Sequence, residues 1–311
     1  MRILFLFLDG VGLGEDDPQH NPFAAVDLPT LMSFTEGRRW LRDLPTITSR
    51  RGVFIPTDAC LGIEGRPQSA TGQAAILTGL NVPAMLGYHY GPRPNQAIAE
   101  VVRQENLIQK LVERGLHVGF PTAFPPAFFE NVARGKRTLS TNQLAMHTAG
   151  VPLPDATALL RGHAMSADFT GEGWRTQLGF TDIPVMSPFQ AGQMLGRLAR
   201  RYDLTFFDHW VTDYLGHRGT LQQAITLLKV IDEVLAGLLS EWEDTQGLII
   251  LTSDHGNLED LSHRRHTRNP VPTLIIGEAS HTFARGLSDL TGFAAPILHT
   301  LDGRKQLASL D

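Results

Sequence analysis

Cysteine is nearly missing: Cys60 stands alone in 311 residues. No internal disulfide can form, and that usage fits a reducing compartment. Long apolar runs are missing too. The N-terminal run, residues 3–8 (ILFLFL), ends at Asp9. It is far shorter than the ~20 residues of a membrane span, and no small-residue cleavage site follows it as in a secretory signal. Neither sign of charge dominates, with 27 Lys+Arg against 32 Asp+Glu, a net charge of −5, and the two signs interspersed. That excludes a global electrostatic footprint for nucleic acid. Gly (30) and Pro (19) are ordinary in number, which excludes disorder and collagen-like repeats. The expectation is a soluble cytoplasmic protein with no nucleic-acid or membrane partner.

What is present is a large apolar fraction, 42 %, enough for a sizeable core. Short apolar runs at 3–8, 52–55, 116–120, 204–207, 248–252 and 273–276 read as strands. Helical spacing marks 28–34, 71–78, 106–114, 191–201, 221–239 and 290–301. The register is clearest in 221–239, where Leu221, Ala224, Ile225, Leu228, Ile231, Leu235 and Leu238 share one face. Alternating strands and helices predict a three-layer α/β/α fold with a mostly parallel central sheet. Between 121 and 188 the periodicity fades into proline-interrupted sequence, read as an inserted cap. The core is then 1–120 plus 189–311.

Polar residues fall just past predicted strand ends, where open α/β sheets bind ligands. Asp9 follows the first strand. Asp208 follows 204–207, with Asp213 and His217 beyond it in TDYLGHRG. Spaced i, i+4, those two side chains share one face of a helical turn and can grip one ion. Asp254 and His255 follow 248–252 in TSDHGN. His266 opens HTRNPVP before the last strand, with His263 competing three residues earlier. Ser69 begins an Ala-rich helix in PQSATGQAAILTG, where a hydroxyl meets the positive end of the helix dipole. Each feature alone is also an ordinary turn or N-cap. Together they supply the carboxylates, imidazoles and nucleophile that a two-cation site requires.

The ordered set DGVGLG, SATGQAAILTG, TDYLGHRG, TSDHGN and HTRNPVP resembles the alkaline phosphatase superfamily of metalloenzymes. It is most similar to the branch of cofactor-independent phosphoglycerate mutase and phosphopentomutase. The resemblance implies that Asp213, His217 and His266 hold one metal, and that Asp9, Asp254 and His255 hold another. It implies that Ser69 is the nucleophile between them, transiently phosphorylated, in a phosphatase or phosphomutase acting on a small phosphorylated substrate. Mixed nitrogen and oxygen ligation suits two divalent ions, Zn or Mn, better than Mg. Two departures stand out. Gln73 occupies the place of a histidine usual in the mutases, and the 121–188 segment is shorter than the mutase insertion. Sulfatase or phosphodiesterase chemistry on the same scaffold is the alternative, as is a metal-binding module without catalysis. Asn257 and Asp208 are candidates for orienting the ligands. Arg93, in YHYGPRP, is a candidate substrate contact as well as an ordinary surface arginine. The basic trio Arg134, Lys136 and Arg137 reads as solvated surface.

Overall fold

A computed structural model of the chain describes residues 1–308, with side chains described to residue 302. Seven strands form one sheet: β1 (Arg2–Leu8), β2 (Ile47–Thr48), β3 (Gly52–Thr57), β4 (Val118–Gly119), β5 (Leu204–His209), β6 (Gly247–Thr252) and β7 (Val271–Ile276). Their order is β2-β3-β7-β6-β1-β5-β4. β1 lies between β5 and β6 and is parallel to both, and β4 is parallel to β5. β7 is antiparallel to β6 and to β3, so β3 points the same way as β6. Five strands thus run in one direction, and β7 and the two-residue β2 run against them. The reversal at β7 has a local cause. No helix lies between β6 and β7, and a parallel return needs a crossover.

β1 is apolar from Ile3 to Leu8 because both of its faces are covered. Ile3, Phe5 and Phe7 enter one core cluster, and Leu4, Leu6 and Leu8 enter the other. The first cluster includes Ala70 and Ala74 of helix α1 (Ser69–Thr78) and Leu144, Ala145 and Met146 of α2 (Thr141–Thr148). The second includes Leu195 of α3 (Pro188–Ala199) and Leu228, Ile231 and Leu235 of α5 (Leu221–Glu241). Between those two helices runs α4 (Val211–Arg218). The α/β expectation holds, with helices on both faces. The closing helix expected over 290–301 is interrupted: Leu290–Gly292 is a 3-10 turn, braced by Asp289 accepting from the Thr291 amide, and Ala294–Ala308 follows as an α-helix. Among the described residues no helix is long and apolar enough to cross a membrane.

The 121–188 stretch, expected to stand over the sheet as a cap, is divided. Phe124, Phe128, Leu144, Ala145, Met146 and Val151 belong to the main core on the α1 side. Thr141 Oγ1 donates to the Ala70 carbonyl and ties α2 to α1. Only Ala123, Leu159, Ala164, Trp174 and Ile183 form a small core of their own. Short helices begun by proline or by a capping box, such as Pro126–Ala133 and the Ser140–Gln143 box of α2, carry too few turns to show a period.

α3 and α5 approach more closely than side chains would permit. A Cβ on Gly192 would lie 1.9 Å from the Val234 carbonyl oxygen, and one on Gly237 1.9 Å from that of Phe189. Alanine favours a helix over glycine by ~1 kcal/mol. The backbone contact cannot yield, so Gly192→Ala or Gly237→Ala is expected to lower the unfolding free energy by about 2 kcal/mol. Urea denaturation checks this, and a stabilised variant would contradict the close approach.

Candidate metal centre

The parallel strands β1, β5 and β6 end together, so the residues that leave them meet. Asp9 continues β1, its amide donating to the His209 carbonyl at 2.9 Å. The chain then turns at Gly10, whose φ is +70°. A Cβ there would lie 2.7 Å from Asp213 Oδ1, so only glycine admits the turn. Val11 N donates to Ser253 Oγ at 2.9 Å and Gly10 N reaches Asp254 Oδ1 at 3.4 Å, which locks the two strand exits together. α4 delivers Asp213 and His217 one helical turn apart, and its Thr212 Oγ1 donates to the Asp9 carbonyl at 2.5 Å.

Two donor groups result, with ligand atoms within 4.8 Å of one another: Asp213, His217 and His266, and Asp9, Asp213 and His255. Asp213 Oδ1 lies 3.4 Å from His217 Nε2 and 3.6 Å from His266 Nε2. Asp9 Oδ1 lies 3.4 Å from His255 Nε2, and Asp254 Oδ1 lies 3.7 Å from it. The His255 and His266 rings stack at 3.7 Å. Ser69 Oγ, on the first residue of α1, is 2.9 Å from His255 Nε2. Six expected ligands and the serine therefore converge. Asp213 is common to both groups, and Asp254, expected with Asp9 and His255, has its Oδ1 3.7 Å from His255 Nε2. His263 lies apart, 3.4 Å from Asp260 at the surface.

The imidazoles are oriented by their far nitrogens. His217 Nδ1 lies 3.0 Å from the Arg264 carbonyl and His266 Nδ1 2.9 Å from the Pro67 carbonyl. A carbonyl only accepts, so each Nδ1 carries a proton and each Nε2 is left to face the centre. Those two Nε2 atoms lie 3.0 Å apart. Burial first, and His255 next, push the His266 pKa down to about 4, so it is neutral near pH 7. Burial likewise lowers His255. At 3.0 Å the His217–His266 pair is satisfied by a shared proton or by a cation that both nitrogens coordinate.

The carboxylates make the same demand. Burial drives Asp9 well above the usual range, and Asp254, Asp213 and Asp208 add to it. Burial raises Asp254 to about 7, with Asp213 adding to the effect. Asp9 Oδ1 is buried without a hydrogen-bond partner. Facing imidazole nitrogens, clustered buried carboxylates and an orphaned carboxylate oxygen all fit divalent cations.

Other side chains hold this arrangement. Asn257 Nδ2 donates to Asp213 Oδ1 at 2.6 Å and so orients the shared ligand. Asp208, raised to about 7 by burial, accepts from Asn142 Nδ2 at 3.4 Å. Gln73 Nε2 donates to Asp254 Oδ2 at 3.1 Å and to Asp9 Oδ2 at 3.5 Å. Arg93 feels the charges of Asp208 and Asp9 and sits beside Arg137. Arg137, read from sequence as solvated surface, lies with its guanidinium 5.0 Å from the Phe128 ring centroid.

Glu259 escaped the sequence reading. It is buried, and its carboxylate accepts from Gly12 N at 3.0 Å, Asn257 N at 2.7 Å and Asn269 Nδ2 at 3.0 Å, as well as from Thr267 Oγ1. Four donors from two connections, the one after β1 and the one between β6 and β7, meet on one side chain. Its only signal in the sequence is its place two residues after TSDHGN. Asn142 had no signal, because nothing local connects α2 to this edge.

Residues 190–302 match the family described as Metalloenzyme superfamily, a stretch that carries Asp213, His217, Asp254, His255 and His266. The chain is 33 % identical over 132 residues to 2,3-bisphosphoglycerate-independent phosphoglycerate mutase of Methylobacillus flagellatus. That match covers 40 % of this chain and spans only a quarter of the mutase, 25 % of its length. The fold is similar to that of Leishmania mexicana phosphoglycerate mutase, with TM-score 0.58 and 11 % identity, over 96 % of this chain and 95 % of that one. It is also similar to that of alkaline phosphatase from the Antarctic bacterium TAB5, with TM-score 0.53 and 13 % identity, over 97 % of each chain.

Two outcomes are expected. Asp213 belongs to both donor groups, so Asp213→Ala should lower divalent-metal content by more than one ion per chain by elemental analysis. Unchanged content would separate Asp213 from the centre. Glu259→Gln replaces an acceptor oxygen with an amide among donors. It should weaken metal affinity by about tenfold to a hundredfold in a chelator competition.

Proposed function

We propose that this chain is a metalloenzyme of the alkaline phosphatase superfamily and that it transfers phosphoryl groups from a small phosphomonoester through Ser69. The observation that carries the reading is the Ser69 hydroxyl 2.9 Å from His255 Nε2, inside the donor cluster. Asp213, His217 and His266 would hold one divalent ion, and Asp9, His255 and Asp254, with Asp213 shared, a second. Zn or Mn suits three imidazoles among carboxylates better than Mg. Such ions supply Lewis acidity toward phosphoryl oxygens and ease loss of the serine proton.

The protein's own groups do the rest. Ser69 opens the ten-residue helix α1, so its hydroxyl meets the positive end of the helix dipole, where a phosphoryl group is favoured. The His255 and His266 rings stack against each other, which restricts the imidazole next to Oγ. Arg93, near Asp9 and Asp208, offers positive charge to the substrate's anionic oxygens. Ser69 Oγ attacks phosphorus as the bond to the leaving alcohol breaks, and the alcohol departs with a proton. Water then attacks the phosphoseryl group, releases phosphate and returns a proton to Ser69. The His217 side chain is 37 % exposed, so water reaches the centre. That favours hydrolysis over retention of the dephosphorylated product, as a mutase requires.

A metal-free serine hydrolase built on Ser69 and His255 is the reading that the same contact would otherwise invite. It lacks the orienting acid: His255 Nδ1 faces the Gly256 carbonyl at 3.3 Å. The residues around Ser69 also lack the Gly-x-Ser-x-Gly elbow. Sulfatase chemistry is disfavoured because Ser69 stands where a modified cysteine would be needed.

Ser69→Ala is expected to lower p-nitrophenyl phosphate turnover by the metal-loaded protein on the order of a thousandfold, with metal content retained. Acid-quenched wild-type protein should carry one added phosphoryl group by intact mass. Undiminished turnover in Ser69→Ala would remove the serine from the reaction.

A further inference from the structure

Among the described residues few large aromatic rings stand in water, and two of them, Tyr88 and Tyr90, share a cleft with His217 and His266. Tyr88 is 47 % exposed and Tyr90 37 %, while Trp210 and Tyr214 are exposed next to the ligand Asp213 on α4. Tyr88 and Tyr90 line a cleft of about 670 Å³ that also contains His217 and His266. Their rings meet edge to face, with centroids 6.2 Å apart. Scattered exposed apolar groups need no explanation, but paired rings at the mouth of a reactive centre do.

This pair is braced against the nucleophile. Thr71 N donates to the Tyr90 carbonyl at 3.1 Å, and Tyr90 N donates back to Thr71 Oγ1 at 3.2 Å. Both ends of the Tyr90 backbone are thus tied to the first turn of α1. A Cβ on Gly91 would lie 3.2 Å from Ser69 N, so this loop lies directly against the serine. Arg66 and Arg265 line the same cleft. A glycerate-sized alcohol would fill little of this volume and leave both rings idle. A planar ring can stack on an aromatic face.

We propose that the Tyr88–Tyr90 pair is a leaving-group subsite, and that the substrate is a phosphomonoester whose alcohol carries a planar aromatic ring, as in an aryl or nucleoside phosphate. The proposal rests on phosphoryl transfer at Ser69 and names its substrate class.

The test is calorimetric binding to the metal-loaded Ser69→Ala protein, with phenyl phosphate, adenosine 5′-monophosphate, glucose 6-phosphate and glycerol 1-phosphate as ligands. At least one ring-bearing ligand should bind roughly tenfold tighter than the two aliphatic phosphates. An advantage confined to the nucleotide identifies a nucleoside leaving group, and one shared by phenyl phosphate identifies the ring alone. Adding Tyr88→Leu and Tyr90→Leu, both at exposed positions, should level the affinities. Ligand binding should also perturb the tyrosine absorbance only while both rings are present. Equal affinities, tighter binding of the sugar phosphate, or a ring preference that survives both leucines would overturn the subsite. Hydrolysis of these esters by Ser69→Ala would count against the serine, not against the subsite, because binding is read separately.

Discussion

Two imidazole nitrogens facing each other across 3.0 Å are the constraint around which this chain is organised. His217 and His266 come from segments 49 residues apart, and each is held by a proton given to a backbone carbonyl. Rotating either ring would sacrifice that hydrogen bond, and leaving both in place demands positive charge between or beside them. The neighbouring carboxylates sharpen the demand, since Asp9 and Asp254 are buried beside one another and beside Asp213. A fold that places such groups together in the absence of a cation is electrostatically poor. With divalent ions, the same groups become a strong ligand set.

Supporting that arrangement takes close backbone approach and one buried acid. Gly10 lets the chain turn against Asp213, and Gly12 and Gly256 leave room for Glu259, whose carboxylate would stand 2.3 and 2.2 Å from a Cβ at those positions. Glu259 then gathers the loops after β1 and β6 and the segment that follows His266. The antiparallel return of β7 belongs to the same logic. The connection between β6 and β7 has no crossover helix, so it stays at the sheet edge and carries Asp254, His255 and His266.

Much of this was legible in local sequence because the governing physics is local. A strand covered on both faces is a mostly apolar run, so β1, β5 and β6 stand out, and a 21-residue helix such as α5 repeats its apolar face often enough to be seen. Polar residues just past such strands were bound to meet at one edge. The 121–188 stretch was unreadable for the complementary reason. Its helices are short, and the packing of Leu144, Ala145 and Met146 against α1 is a long-range fact with no periodic trace.

The residue types of the centre, the order of their motifs and the strand ends that deliver them were therefore written along the chain, since strand polarity and turn chemistry are properties of neighbours. How the donors divide was not. Asp213 joins both groups, and Asn142 and Glu259 take their places only once helices and loops far apart in the chain have packed. The subsite beside Ser69 was hidden for the same reason, because Tyr88 and Tyr90 become its neighbours through the hydrogen bonds of Thr71 and the fit of Gly91, contacts that exist only in three dimensions.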